Sequence, residues 1–187
     1  MKLSLRLFAV LVFVLAATLE LRPAELAGIN LPDTAQTGTT KLVLNGLGLR
    51  KKYMVKVYVA GLYIERKSSD PRTILRNDAP KRVVMQFVRD VSKQQLTDAF
   101  EESFRDNTPQ AAKTVRPDID RFLGALEPVH NGDQIVFTYI PGQGTTFALN
   151  GHEKLAIATP LFAEVLWSVW LGPKPPSADL QKGMLGQ

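Results

Sequence analysis

A chain of 187 residues, 45% of them hydrophobic, has room for one domain with a sizeable core and is too apolar to be disordered. It has no cysteine and only two histidines, which excludes a disulfide framework and weighs against zinc, iron–sulfur or other metal sites; no cofactor is expected. Of the formal charge of +5, residues 1–24 carry +2 (Lys2, Arg6 and Arg22 against Glu20), and the remaining cations are too scattered for a nucleic-acid interface.

Lys2 and Arg6 precede a nearly unbroken apolar run from Leu7 to Ala17. That run is too short for the roughly 20 apolar residues of a bilayer span, and it reads as an export signal. Residues 1–24 are taken as the signal, with cleavage after Ala17 or Ala24, and residues 25–187 as one domain without a stable membrane span after processing. A cysteine-free exported chain suits a bacterial periplasm, so a periplasmic or otherwise exported location is expected.

Residues 29–40 read as a turn-rich entry loop able to start an edge strand, and residues 41–44 as a short strand. Asn45-Gly46 is a strong turn dipeptide, which places Arg50 at the tight turn before the next strand. That strand, residues 53–64, is apolar on both faces and is expected to be central, with Met54, Lys56, Tyr58, Ala60 and Leu62 sharing one face. Asp70-Pro71 opens a short helix, and residues 82–89 form the next strand. Ser92 caps a helix to about Asp106, with Leu96, Ala99, Phe100, Ser103 and Phe104 as its apolar stripe. Residues 109–126 continue as helix, with Pro117 as a kink or restart. Asn131-Gly132 is a turn, and residues 133–139, 145–149 and 154–158 form a three-stranded meander joined through Pro141-Gly142-Gln143-Gly144 and Asn150-Gly151. Thr159-Pro160 starts a helix that buries Phe162, Val165, Leu166, Val169 and Trp170; Gly172-Pro173 stops it, and a short helix closes the chain. Strands, helices, strands, helices suit an α+β layer fold with one mostly antiparallel sheet.

Little in this sequence is equipped for chemistry. There is no Gly-x-Ser-x-Gly elbow, His130 and His152 lie at turns, and Gly46-Leu47-Gly48 is too short for a phosphate loop. Glu101-Glu102 and Asp118/Asp120 read as helix surface charge. What remains is Arg50 with Lys56, Tyr58 and Tyr63. An arginine there clamps a carboxylate or stabilises a phenolate or enolate, or it is a solvent-exposed residue beside Lys51 and Lys52.

Four segments together resemble the chalcone isomerase superfamily, and more closely its small exported bacterial members. They are Gly46-Leu47-Gly48-Leu49-Arg50, Lys56-Val57-Tyr58-Val59-Ala60-Gly61-Leu62-Tyr63, Arg89-Asp90-Val91-Ser92-Lys93-Gln94-Gln95-Leu96 and Trp170-Leu171-Gly172-Pro173-Lys174-Pro175-Pro176-Ser177. The resemblance covers roughly residues 25–187. It implies an open-faced β-sandwich, an antiparallel sheet covered by a layer of helices with a ligand cleft between them. The family enzymes close a chalcone to a flavanone by attack of a phenolate on an enone, with the arginine matched by Arg50 polarising the substrate. The enzyme's strand threonine falls at Tyr58, its helix tyrosine at Leu96 and its asparagine at Ser103, and Leu96 cannot donate a hydrogen bond. The superfamily also holds non-catalytic members that bind fatty acids through the same arginine.

The expected function is therefore an exported, non-catalytic binding protein for a fatty acid or another apolar carboxylate or phenolate. Its expected ligand-binding residues are Arg50, Lys56, Tyr58, Leu96, Phe100 and Ser103, with Phe104 and Phe122 as further tunnel wall. Arg50 is the catalytic residue if the chain is instead an intramolecular lyase. A protein-interaction role without a small ligand is the third reading, and a filled space between sheet and helices favours it.

Overall fold

The computed structural model describes residues 24–187; the expected export signal, apart from Ala24, lies outside the described residues. Two short strands, β1 (Ala24–Leu26) and β2 (Ile29–Leu31), form a hairpin. Seven more build one antiparallel sheet in sequence order: β3 (Thr34–Thr37), β4 (Thr40–Lys52), β5 (Val55–Ile64), β6 (Lys81–Phe87), β7 (Gln134–Ile140), β8 (Gly144–Leu149) and β9 (His152–Ile157). The helices are α1 (Pro71–Arg76), α2 (Lys93–Asn107), α3 (Pro109–Thr114), α4 (Arg116–Ala125), α5 (Pro160–Leu171) and α6 (Ala178–Met184). The expected α+β class, an antiparallel sheet under a layer of helices, is the observed one.

Side-chain alternation along β5 divides the core. Tyr58, Ala60, Leu62 and Ile64 join the large cluster under the helices. Tyr63 turns to the other face, where Leu31, Leu42, Leu44 and Val84 pack beneath the β1–β2 hairpin. With β4 on one side and β6 on the other, β5 is central, as its two apolar faces require.

Local signals place several helices. Asp70 caps α1 by accepting from Arg72 N, with Pro71 in the first turn. Ser92 and Gln95 close a full capping box on α2. The helix expected over residues 109–126 breaks at Val115, and Pro117 sits in the first turn of α4, so the proline restarts the helix. On α2, Ala99 is exposed and the buried stripe is Leu96, Phe100, Ser103 and Phe104.

Three expectations need correction. Residues 29–40, expected as a loop able to start an edge strand, hold two strands: β2, paired with β1 through the turn at Ala27 (φ 55°) and Gly28 (φ 82°), and the edge strand β3, which turns into β4 at Gly38 (φ 57°). Asn45-Gly46 is no turn: β4 runs through it for 13 residues. Asn45 is the extra residue of a bulge opposite β5, and its buried side chain is occupied elsewhere. The hairpin turns instead at Tyr53-Met54, so Arg50 stands on a strand. Finally, α5 is buried nearly all round, Ala163, Trp167, Ser168 and Leu171 included, because α1, α2, α3 and α6 flank it above the sheet. Each large side chain buried there contributes about 1.5–3 kcal/mol relative to exposure.

Candidate functional site

The Gly-x-Gly-x-Arg segment is built around α6. Gly46, Gly48 and Arg50 pair with Leu62, Ala60 and Tyr58 and so face the helices. A Cβ on Gly48 would lie 2.1 Å from the Leu180 carbonyl oxygen, one on Gly46 2.2 Å from that of Gly183, and one on Gly183 2.3 Å from that of Leu47. Helix α6 thus rests directly on the β4 backbone. Arg50 takes the next position on that face, toward the start of α6, where it is half-buried and donates through Nη1 to the Lys51 carbonyl.

Tyr58, the cross-strand partner of Arg50, is buried, with its ring 5.6 Å from that of Phe87. Burial pushes its hydroxyl up to about 12; the Trp170 indole and the Arg50 charge pull the other way without cancelling that effect. At neutral pH Tyr58 is therefore a neutral O–H donor. Trp170, on α5, faces the same hydroxyl, yet its wholly buried Nε1–H has no well-formed hydrogen bond among the described residues. A guanidinium, a phenol and an indole N–H thus lie at one end of the sheet. All three donate, and a carboxylate is a group that accepts from all three.

Lys56 stands apart from them. The register shifts between Arg50 and Lys51, which breaks the alternation expected along β5. Lys56 consequently lies exposed opposite Lys51 on the hairpin arm. Leu96 and Phe100 are buried on α2, and the Phe100 ring lies 6.3 Å from Trp170 and 4.9 Å edge-on from Phe122. Ser103 Oγ accepts from Asn107 at 3.3 Å, turned toward the end of α2. Phe100, Phe104, Phe122, Phe137, Phe147 and Trp170 fill the space between sheet and helices. His130 and His152 are exposed, and no group of His, Cys, Asp and Glu able to hold a metal occurs among the described residues. Trp170 escapes sequence reasoning because its spacing marks only the buried face of α5.

A separate cleft of about 480 Å³ lies between α1, α5 and the end of α2. Its floor holds a buried lysine: Lys81 Nζ donates to the carbonyls of Ile74 (2.9 Å) and Asn77 (2.8 Å) and sits 5.4 Å from the centre of the Tyr139 ring. Burial lowers Lys81 to about 8, against the pull of Asp78. Trp167 lines the same cleft with a second buried, unpartnered Nε1–H. Lys81 and Phe87 are six residues apart on β6, ~20 Å at the rise of a strand, so this cleft and the Arg50–Tyr58 group occupy opposite ends of the sheet. In the sequence Lys81 looks like one more scattered cation and Trp167 carries no signal of its own.

This sheet under helices, with its arginine beside the glycine-seated closing helix, defines the class. The chain belongs to the chalcone isomerase-like family, whose model matches residues 23–186. Among solved structures, that of an Arabidopsis thaliana fatty-acid binding protein is similar at a TM-score of 0.65 and 18% identity, over 84% of this chain and 92% of that one. The two share the fold. No curated protein sequence matches the chain significantly.

Proposed function

We propose that this protein binds an apolar carboxylate without transforming it, outside the cytoplasm, with the acid group held by Arg50, Tyr58 and Trp170. One observation supports the reading: Tyr58, buried, stands across the strand pair from Arg50 and beside the buried indole of Trp170, whose Nε1–H is left without a partner. The similar Arabidopsis protein, named for fatty-acid binding, supports the ligand class. Leu96, which cannot donate where the family enzymes carry a tyrosine, supports binding over cyclisation. The apolar run before residue 24 supports export, of the kind expected for the small bacterial members. An acyl chain enters this site by displacing Phe100 and Leu96 from the filled interior. Calorimetric titration with laurate and with benzoate tests the proposal. Arg50→Ala is expected to weaken binding about 10- to 100-fold, the worth of a charge-assisted hydrogen bond, and Tyr58→Phe about 5-fold. Equal affinity in wild type and Arg50→Ala, or no uptake of any acyl or aromatic acid, sinks it.

The filled aromatic interior favours a second reading, an interaction protein without a small ligand. Native mass spectrometry of exported protein separates the two. A stoichiometric acid lost in Arg50→Ala supports binding, and a clean apo mass after incubation with these acids supports interaction.

A further inference from the structure

The tip of the β4–β5 hairpin breaks three rules of stable surfaces at once. Tyr53 and Met54 are each 92% exposed and Val55 46%, the large hydrophobic side chains most exposed among the described residues. Tyr53 also sits in the left-handed region at φ 57°, where glycine or asparagine is at ease and an aromatic residue is not. Beside it, Lys51 and Lys56 face each other directly across the two strands, a like-charge pair that works against the hairpin. Places where a chain departs from local preference without internal compensation mark function.

The arrangement around the tip has a clear polarity. Arg50, Lys51, Lys52 and Lys56 form a cationic collar with no acidic residue between positions 50 and 58, and none of the four forms an ion pair among the described residues. Strand β6 pairs with β5 only from Tyr58 onward, so residues 51–56 pair with each other alone and the tip projects past the sheet. An apolar crown of tyrosine, methionine and valine on a collar of cations matches an anionic lipid surface. The tyrosine ring suits the headgroup boundary, the methionine and valine the first acyl carbons, and the cations the lipid phosphates. Acidic protein surfaces also attract cations, but they leave a protruding apolar crown without a counterpart.

We infer that the β4–β5 hairpin is a membrane-docking finger that inserts Tyr53 and Met54 into the headgroup region of an anionic bilayer while Lys51, Lys52 and Lys56 contact its phosphates. Docking here places Arg50, three residues from the turn, at the lipid boundary, and it requires no bound ligand.

The absence of cysteine makes a local test available in the full chain. Met54→Cys is labelled with an environment-sensitive nitrobenzoxadiazole probe, and Gln143→Cys, in the turn between β7 and β8 at the other end of the sheet, serves as control. Both are mixed with phosphatidylcholine vesicles with and without 30% phosphatidylglycerol. The expected result is a blue shift at position 54, quenched by shallow doxyl lipids, with anionic vesicles only, and none at position 143. In that labelled background Lys51→Gln, Lys52→Gln and Lys56→Gln together weaken the interaction on the order of 100-fold, at about fivefold per cation near an anionic surface. A tip label that stays water-like, a control label that enters instead, or insertion indifferent to lipid charge and to the three glutamines overturns the proposal. Arg50 is intact throughout, so failure of the acid site and failure of the finger are read separately.

Discussion

At the scale of single residues, the same residue type means opposite things in two places. Gly48 is held by contact: a methyl group there would meet the Leu180 backbone carbonyl, which cannot move without lifting α6 from the sheet. Gly124 is held by nothing, since its side-chain position in α4 is open and its φ is not positive. Gly48→Ala is expected to cost about 2–4 kcal/mol through overpacking against backbone. Gly124→Ala is expected to stabilise by roughly 0.5–1 kcal/mol through helix propensity. Chemical denaturation of the two variants against wild type checks both signs, and a neutral Gly48→Ala would mean that α6 does not rest on β4 as described. The comparison also explains why Arg50 follows two glycines. They let α6 approach the backbone, and Arg50 stands at the next helix-facing position as it does so.

At the scale of elements, α6 is kept in place by an asparagine that sequence reasoning assigns to a turn. Asn45 Nδ2 donates to the carbonyls of Ser68 (3.0 Å) and Met184 (2.9 Å), and its Oδ1 accepts from Ser68 N (2.8 Å). One side chain thereby ties β4 to the segment after β5 and to the end of α6. Asn45→Ala leaves those backbone groups without partners at a buried site and should cost roughly 2–4 kcal/mol. Hydrogen exchange in residues 178–184 should accelerate before the rest of the molecule responds, whereas uniform acceleration would show that Asn45 does not act through α6. This case also marks the boundary of what the chain reveals by itself. Strands β5 to β9, the capping box of α2 and the proline start of α5 are legible because local preference and fold agree there. The Asn45-Gly46 dipeptide misleads because its partners are 23 and 139 residues away. The true turn at Tyr53-Met54 is hidden because a tyrosine at positive φ carries no turn signature. Arg50 and Tyr58 can be picked out from their segment, but Lys56 cannot be placed from alternation, because one register shift moves it. Trp170 looks like any core residue until its unpaired N–H is seen.

At the scale of the whole molecule, the sheet carries buried polar groups whose titrations have opposite signs. Lys81, 4% exposed, falls from the ordinary lysine value to about 8, with burial as the main cause. Below pH 8 it is charged in both folded and unfolded chains, and the folded state carries the full penalty of a buried ammonium. Between about pH 8 and 10 the unfolded chain holds a proton that the folded chain has released, so stability rises with pH, by at most roughly 3 kcal/mol. Tyr58, Tyr63 and Tyr139 are each raised to about 12, the first two chiefly by burial and Tyr139 chiefly by its hydrogen bond to Asp78. Their sign is the reverse: above pH 10 the unfolded chain ionises first, and stability falls toward pH 12. The combined expectation is a maximum near pH 10. Lys81→Met isolates the lysine. It loses the hydrogen bonds to the carbonyls of Ile74 and Asn77 and so is less stable throughout, but its stability should not climb between pH 8 and 10 as that of wild type does. Denaturation curves at closely spaced pH values decide the matter: parallel curves for wild type and variant would mean that Lys81 titrates as a surface lysine and that its cleft is wetter than its burial indicates, whereas a rise confined to wild type assigns the alkaline gain to this one ammonium.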